Sequence, residues 1–137
     1  MKAFFDSSGL AKRYIEEPGS SRVQEILEEA TSLGLSAICI PEIVSALCRR
    51  KREGAISHKQ YQEAKASLLN EAADAFVVNL TQEILLGTIA LFEKSTLRAM
   101  DAIHIACALE WNADLFVSSD DKQLLAAQKA GLKITQV

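Results

Sequence analysis

Four carboxylates stand where a charged side chain is difficult to place. Asp6 ends an apolar run at the N-terminus, Glu42 follows Pro41, Asp101 opens an alanine-rich apolar stretch, and Asp120 follows Leu115-Phe-Val-Ser118. A charge beginning or ending a buried face is costly unless something offsets it. Carboxylates crowded together raise one another's pKa unless a cation lies among them. An all-oxygen donor set without a Cys or His framework favours Mg²⁺, or Mn²⁺ in its place, over zinc. Such ions stabilise charge developing on a phosphoryl group and lower the pKa of a bound water. Metal-dependent phosphodiester hydrolysis is therefore the chemistry these residues could support.

The acids need elements that carry them to one place. The pattern predicts a first strand over Lys2–Asp6 and a short helix over Leu10–Ile15, capped by Ser7 or Ser8 and ended near Pro18-Gly19. A helix over Ser20–Ala30, a strand over Leu35–Ile40 and a helix over Pro41–Glu53 follow, with Pro41 in the first turn. In that helix Ile43, Val44, Leu47 and Cys48 make the apolar stripe, while Glu42, Ser45, Arg49 and Arg52 share another face. Gly54 stops it. A polar helix over Ser57–Ala73, a strand at Phe76–Val78 and a helix from Thr81 through Phe92 come next. The Asp101–Leu109 helix, a strand over Leu115–Ser118, a helix over Lys122–Lys129 closed by Gly131, and a weak strand at Lys133–Thr135 complete the chain. Strands alternating with helices indicate a parallel α/β sheet with helices on both faces. Ligands of such sheets gather beyond the carboxyl ends of the strands, where Asp6 and Asp120 lie and which Glu42 and Asp101 could reach from helix first turns.

The bulk properties bound the answer. The chain has 137 residues, 49% hydrophobic and 24% charged, and reads as a single domain over 1–137. No apolar run approaches the ~20 residues of a membrane helix, and the start lacks a signal-peptide pattern, so a cytoplasmic location is expected. Cys39, Cys48 and Cys107 have no metal-ligand spacing and read as buried free thiols. The net charge of −3 argues against nonspecific coating of nucleic acid, but it does not exclude RNA. The basic run Arg49-Arg-Lys-Arg52 stands apart from the acids in sequence.

The segments resemble a PIN domain, and within that family a VapC-type toxin ribonuclease of a toxin–antitoxin pair. Asp6-Ser-Ser-Gly-Leu-Ala-Lys-Arg-Tyr14 is similar to the first family motif, and Pro41-Glu-Ile-Val-Ser-Ala-Leu47 with the basic run that follows is similar to the second. Leu97-Arg-Ala-Met-Asp-Ala-Ile-His-Ile-Ala106 is similar to the third, and Phe116-Val-Ser-Ser-Asp120 to the fourth. The resemblance implies a three-layer α/β/α fold with a five-stranded parallel sheet of order 3-2-1-4-5. It implies that Asp6, Glu42, Asp101 and Asp120 hold one or two Mg²⁺ ions, with Ser8 or Ser119 assisting. A metal-activated water would then cut an RNA phosphodiester in line, leaving a 5′-phosphate and a 3′-hydroxyl. It further implies a homodimer, with the apolar helices around Ile43–Leu47 and Leu85–Phe92 as candidate surfaces. A cognate VapB-type antitoxin would send an Arg-bearing segment into the acidic pocket.

Other residues have plainer readings. Arg49 lies seven residues after Glu42, roughly 10 Å further along one helix, where it could meet a phosphate beside the scissile one. Arg52, Lys12 and Arg13 are further candidates for RNA contact. Asp121 reads as a helix-start charge more than a ligand, His104 as a packed, hydrogen-bonded histidine, and His58 as surface. Two rivals stand beside the toxin reading: a housekeeping PIN nuclease acting on other RNA or DNA, and an inactive PIN fold that binds protein. A phosphatase of the haloacid dehalogenase type would need an acid at position 8, which is Ser.

Overall fold

The computed structural model describes residues 1–137. Strands β1 (Lys2–Phe5), β2 (Ser32–Ser36), β3 (Phe76–Val78), β4 (Leu115–Ser118) and β5 (Ile134–Gln136) form one sheet in the order β3-β2-β1-β4-β5. Every neighbouring pair is parallel, so all five carboxyl ends share one edge. The helices are α1 (Ser7–Ala11), α2 (Ser20–Glu29), α3 (Cys39–Arg52), α4 (His58–Asp74), α5 (Gln82–Lys94), α6 (Ala99–Glu110) and α7 (Asp121–Lys129). The chain builds outward from β1 through β2 to β3, then crosses back to lay β4 on the other side of β1. The crevice at that reversal lies between the ends of β1 and β4. No helix is long and apolar enough to cross a membrane.

β1 is the central strand, and its residues are buried on both faces, as parallel sheets require. Ala3 and Phe5 point into a core with Val23, Ile26, Leu35, Ile43 and Leu68. Phe4 points the other way, to Ile105, Trp111, Phe116 and Leu124. The alternation is the period of two expected for a strand. Each large side chain removed from water in this way contributes about 1.5–3 kcal/mol. Phe4 stacks on Phe116 with ring centroids 6.0 Å apart, and Trp111 stacks on Phe76 at 5.7 Å.

Helix α6 carries one side of the crevice, and its small residues explain how closely it lies. Ala102, Ala106 and Ala108 are buried along it, and Trp111 at its C-terminal end covers Gly34 of β2. A Cβ on Gly34 would fall 2.4 Å from the Trp111 ring, so only glycine admits that contact.

Several boundaries differ from the sequence reading. Strand β2 runs from Ser32 to Ser36 and not over Leu35–Ile40, because its ladder with β1 begins at the Lys2–Ser32 pair. The apolar residues Ala37–Ile40, strand-like in composition, go into the turn and the start of α3, where Cys39 is fully buried. Helix α1 begins at Ser7 and ends at Ala11, earlier than the Leu10–Ile15 reading, with Asp6 itself as the N-cap in place of Ser7 or Ser8. Ile43 and Leu47 are core residues at 1% and 2% exposure, so they offer no docking surface. Leu85, Leu86, Ile89 and Phe92 of α5 do remain exposed.

Candidate active site

Asp6 leaves β1 at the sheet edge and is 3% exposed. Its Oδ1 accepts the Gly9 N–H at 2.8 Å, which caps α1, and its Oδ2 accepts the Ser118 hydroxyl at 2.9 Å. The Ser8 hydroxyl lies within 2.9 Å of both oxygens and serves one at a time. Burial raises the pKa of this carboxyl, and the donors from Gly9, Ser8 and Ser118 only partly offset it. Gly9 sits in a tight place: a Cβ there would lie 3.0 Å from the Val117 carbonyl and 3.2 Å from Asp6 Oδ1, so a larger residue would push on both.

Glu42 sits in the first turn of α3 and leans over α1. Its Oε1 accepts the Ser7 hydroxyl at 2.7 Å and lies 2.6 Å from Nε2 of His104 on α6. A carboxylate only accepts, so His104 carries its ring hydrogen on Nε2. Burial works to raise the Glu42 pKa, yet the His104 and Ser7 hydrogen bonds outweigh it, and the net direction is down. His104 is thus a packed, hydrogen-bonded histidine, as expected, although its partner turns out to be one of the four acids.

Asp101 occupies the first turn of α6, with Arg98 Nε 3.5 Å from its Oδ2. Burial raises its pKa, Asp120 adds to the rise, and Arg98 opposes it. Asp101 and Asp120 line the same two hollows. Asp120 is the N-cap of α7, its Oδ1 accepting the Lys122 and Gln123 N–H groups at 2.9 and 3.1 Å. Asp121 is the first residue of that helix and accepts from Gln136 at 2.5 Å.

All four acids line one cleft of about 660 Å³, together with Ser7, Ser8, Arg49, Arg98 and His104. A second hollow of about 860 Å³, lined in part by Ser119, Asp121 and Lys122, shares Ser8, Arg98, Asp101 and Asp120 with the first. Asp101 and Asp120 therefore stand where two hollows meet, with Asp6, Glu42 and Arg49 in the first, Lys122 in the second and Arg98 in both. Lys12 donates to the Pro18 carbonyl, and Arg13 pairs with Glu71 at 2.9 Å beside a separate hollow that holds none of the four acids. Neither faces this cleft, and Arg52 does not line it. Ser119 contributes its N–H to Ser8 Oγ at 3.2 Å, with its side chain in the second hollow.

Three contributors were not singled out by sequence. Ser118 and Gln123 are both fully buried, and they link Asp6 through Ser118 Oγ and Gln123 Oε1, 3.1 Å apart, to the Asp101 carbonyl, 3.2 Å from Gln123 Nε2. Nothing in their local sequence distinguishes them from ordinary strand and helix residues. Arg98 was visible as part of a motif but carried no charge argument until its ion pair was known.

No group of three His, Cys, Asp or Glu side chains stands close enough together to hold a metal ion as arranged here. The cleft instead offers single oxygens, Glu42 Oε2 and Asp120 Oδ2, which have no hydrogen-bond partner while their sister oxygens are occupied. The donors are all oxygen, and partial coordination suits an ion that keeps several of its waters, as Mg²⁺ does. The donor chemistry of these residues, though not their present spacing, fits such an ion.

A PIN domain family model matches residues 3–129. Ribonuclease VapC46 of Mycobacterium tuberculosis is 29% identical over 133 residues, covering 96% of this chain and 94% of that protein. The crystal structure of VapC20 of the same organism, described as a sarcin-ricin loop cleaving toxin, superposes with a TM-score of 0.73. Its sequence identity is 15%, over 98% of this chain and 99% of that one. A toxin–antitoxin complex from Klebsiella pneumoniae gives a TM-score of 0.71 at 18% identity, over 98% and 96% of the two chains.

Proposed function

The chain belongs to the PIN domain family, and from that premise we propose that it is a Mg²⁺-dependent endoribonuclease of the VapC type, hydrolysing RNA phosphodiester bonds and silenced by a cognate VapB-type antitoxin. One observation carries the reading: Asp6, Glu42, Asp101 and Asp120, delivered by four different elements, line one cleft, where Glu42 and Asp120 each keep one oxygen without a hydrogen-bond partner. The ribonuclease name of the 29% identical relative supports the substrate class. The toxin–antitoxin origin of a structure with this fold supports the partner.

Bound Mg²⁺, or Mn²⁺ in its place, would supply charge stabilisation at the phosphoryl group and a water of lowered pKa. The four acids would hold the ion, with Ser8 and Ser118 fixing Asp6 by hydrogen bonds. Arg49 and Arg98 would take RNA phosphates on either side of the acids, as the bidentate geometry of guanidinium suits. The same negative cleft would accept an arginine from an antitoxin segment. The exposed α5 face would form a homodimer contact, since Leu85, Leu86, Ile89 and Phe92 make a contiguous apolar surface on one helix. Three free cysteines, two of them buried, suit a reducing cytoplasm.

The test is cleavage of a mixed RNA panel by the purified protein with Mg²⁺, with EDTA and as Asp6→Asn. Cutting lost in both controls is expected. Cutting that persists in EDTA would sink the metal mechanism, and no cutting with no Mg²⁺ binding would leave a protein-binding module as the better reading.

A further inference from the structure

The surroundings of Glu42 are more specific than holding a carboxylate in place requires. Two donors, Ser7 Oγ at 2.7 Å and His104 Nε2 at 2.6 Å, converge on the same oxygen, Oε1. They arrive from different elements, α1 and α6, and also touch each other at 3.2 Å. Oε2 receives neither. His104 is 2% exposed, and its Nδ1 is buried with no partner. A buried nitrogen left unpaired is a cost that an apolar side chain of similar volume would avoid. The ring's polar contacts are confined to Glu42 and Ser7, so the return on that cost lies at Glu42.

Ion size makes the choice of oxygen consequential. Ca²⁺ takes six to eight oxygens and commonly grips a carboxylate by both of them; Mg²⁺ demands near-octahedral geometry and takes one oxygen per carboxylate. A glutamate with Oε1 already committed to two donors can present only Oε2. Asp120 is constrained alike, its Oδ1 taken by two backbone N–H groups of α7, but no side-chain substitution removes those.

We propose that Ser7 and His104 are positioning residues that make Glu42 a single-oxygen ligand and thereby bias the site toward small octahedral divalent ions over Ca²⁺. The inference rests on the metal-site reading of the four acids and adds to it a cause of ion choice. Neither residue touches the ion or the RNA in this role; each acts through Glu42.

The experiment follows Mn²⁺ binding to the full chain by electron paramagnetic resonance, with displacement by Mg²⁺ and by Ca²⁺. It compares the unaltered protein with Ser7→Ala, His104→Phe and His104→Gln, each checked for folding by its thermal melt. Loss of an outer-shell partner costs about 10–100-fold in metal affinity. In Ser7→Ala and His104→Phe, Mg²⁺ should weaken by about tenfold or more relative to Ca²⁺, because each removes one of the two donors on Oε1 and frees a lone pair there for two-oxygen binding. Gln at position 104 can place an N–H near the site of Nε2, so His104→Gln should restore most of the Mg²⁺ preference. Ser7 is half-buried, so the Ser7→Ala arm stands even if His104→Phe does not fold. An unchanged Mg²⁺-to-Ca²⁺ ratio in a folded variant that still binds Mn²⁺ overturns the inference and leaves the nuclease reading intact. Failure of the unaltered protein to bind Mn²⁺ overturns both.

Discussion

At the scale of single residues, Asp6 is held at cross purposes. It caps α1 and accepts three neighbouring donors, yet burial leaves its pKa raised. In the ion-free chain the folded state therefore holds this proton more tightly than the unfolded chain. Asp6 favours folding at low pH, and that contribution is lost as pH rises through the raised value. Glu42, shifted down, has the opposite sign: its contribution is present above the ordinary carboxylate range and disappears as pH falls through the lowered value. Asp6→Asn can keep the Gly9 cap through its amide oxygen, while Ser118 turns its hydroxyl to Gln123. Without ions at neutral pH, Asp6→Asn should melt no lower than the unaltered protein, and Mg²⁺ should raise the melting temperature of the unaltered protein alone. A marked ion-free drop would show that the carboxylate is structural. Since ion binding requires ionised carboxylates, Mn²⁺ affinity should weaken as pH falls, beginning above the range of an ordinary aspartate. Constant affinity across the acid range would contradict the raised pKa. The four acids were legible in the sequence because each interrupts an apolar pattern. Ser118 and Gln123 were not, since a buried polar residue differs from an exposed one only through partners that lie elsewhere in the chain.

At the scale of elements, the sequence was clearest where periodicity and caps coincide. Ser57 with Gln60 forms a full capping box on α4, and Thr81 caps α5, both at boundaries the residue types mark. It was least clear at β2. The strand was expected to begin at Leu35, but Ser32-Leu-Gly34 also pairs with β1, and Gly34 there receives Trp111 from α6. Gly34→Ala should therefore be destabilising by about 1–3 kcal/mol or more, measured by urea unfolding. A neutral result would mean that Trp111 can move aside at little cost. For α5, Ile89→Glu places a charge amid the exposed apolar face. It should convert a dimer to a monomer in sedimentation equilibrium while leaving the melting temperature nearly unchanged; a monomer before substitution would refute the dimer surface.

At the scale of the whole molecule, strand order could be expected from the family resemblance, whereas the placement of the basic residues could not. Lys12 and Arg13 share a helix region with the first acidic motif, yet they turn to Pro18 and Glu71, because α1 ends after five residues and the chain swings away. Arg49 alone among the basic residues expected to contact RNA lines the acidic cleft. Arg49→Ala should weaken RNA binding and reduce the slope of log affinity against log salt by about 0.7, the value for one single-strand phosphate contact. Arg13→Ala should leave that slope alone; equal effects would place the RNA path elsewhere. The topology also has a bearing on time. Asp6 meets Ser118, 112 positions further along the chain, and the crevice closes only when β4 inserts beside β1. Such distant pairings form slowly, and on a ribosome they wait for the last quarter of the chain to emerge. A nascent or clipped chain that stops before β4 has neither Ser118 nor Asp120, so under the proposed function its site would be half built. Synthesis itself thus imposes a delay between making the first acid and completing the cleft that holds all four.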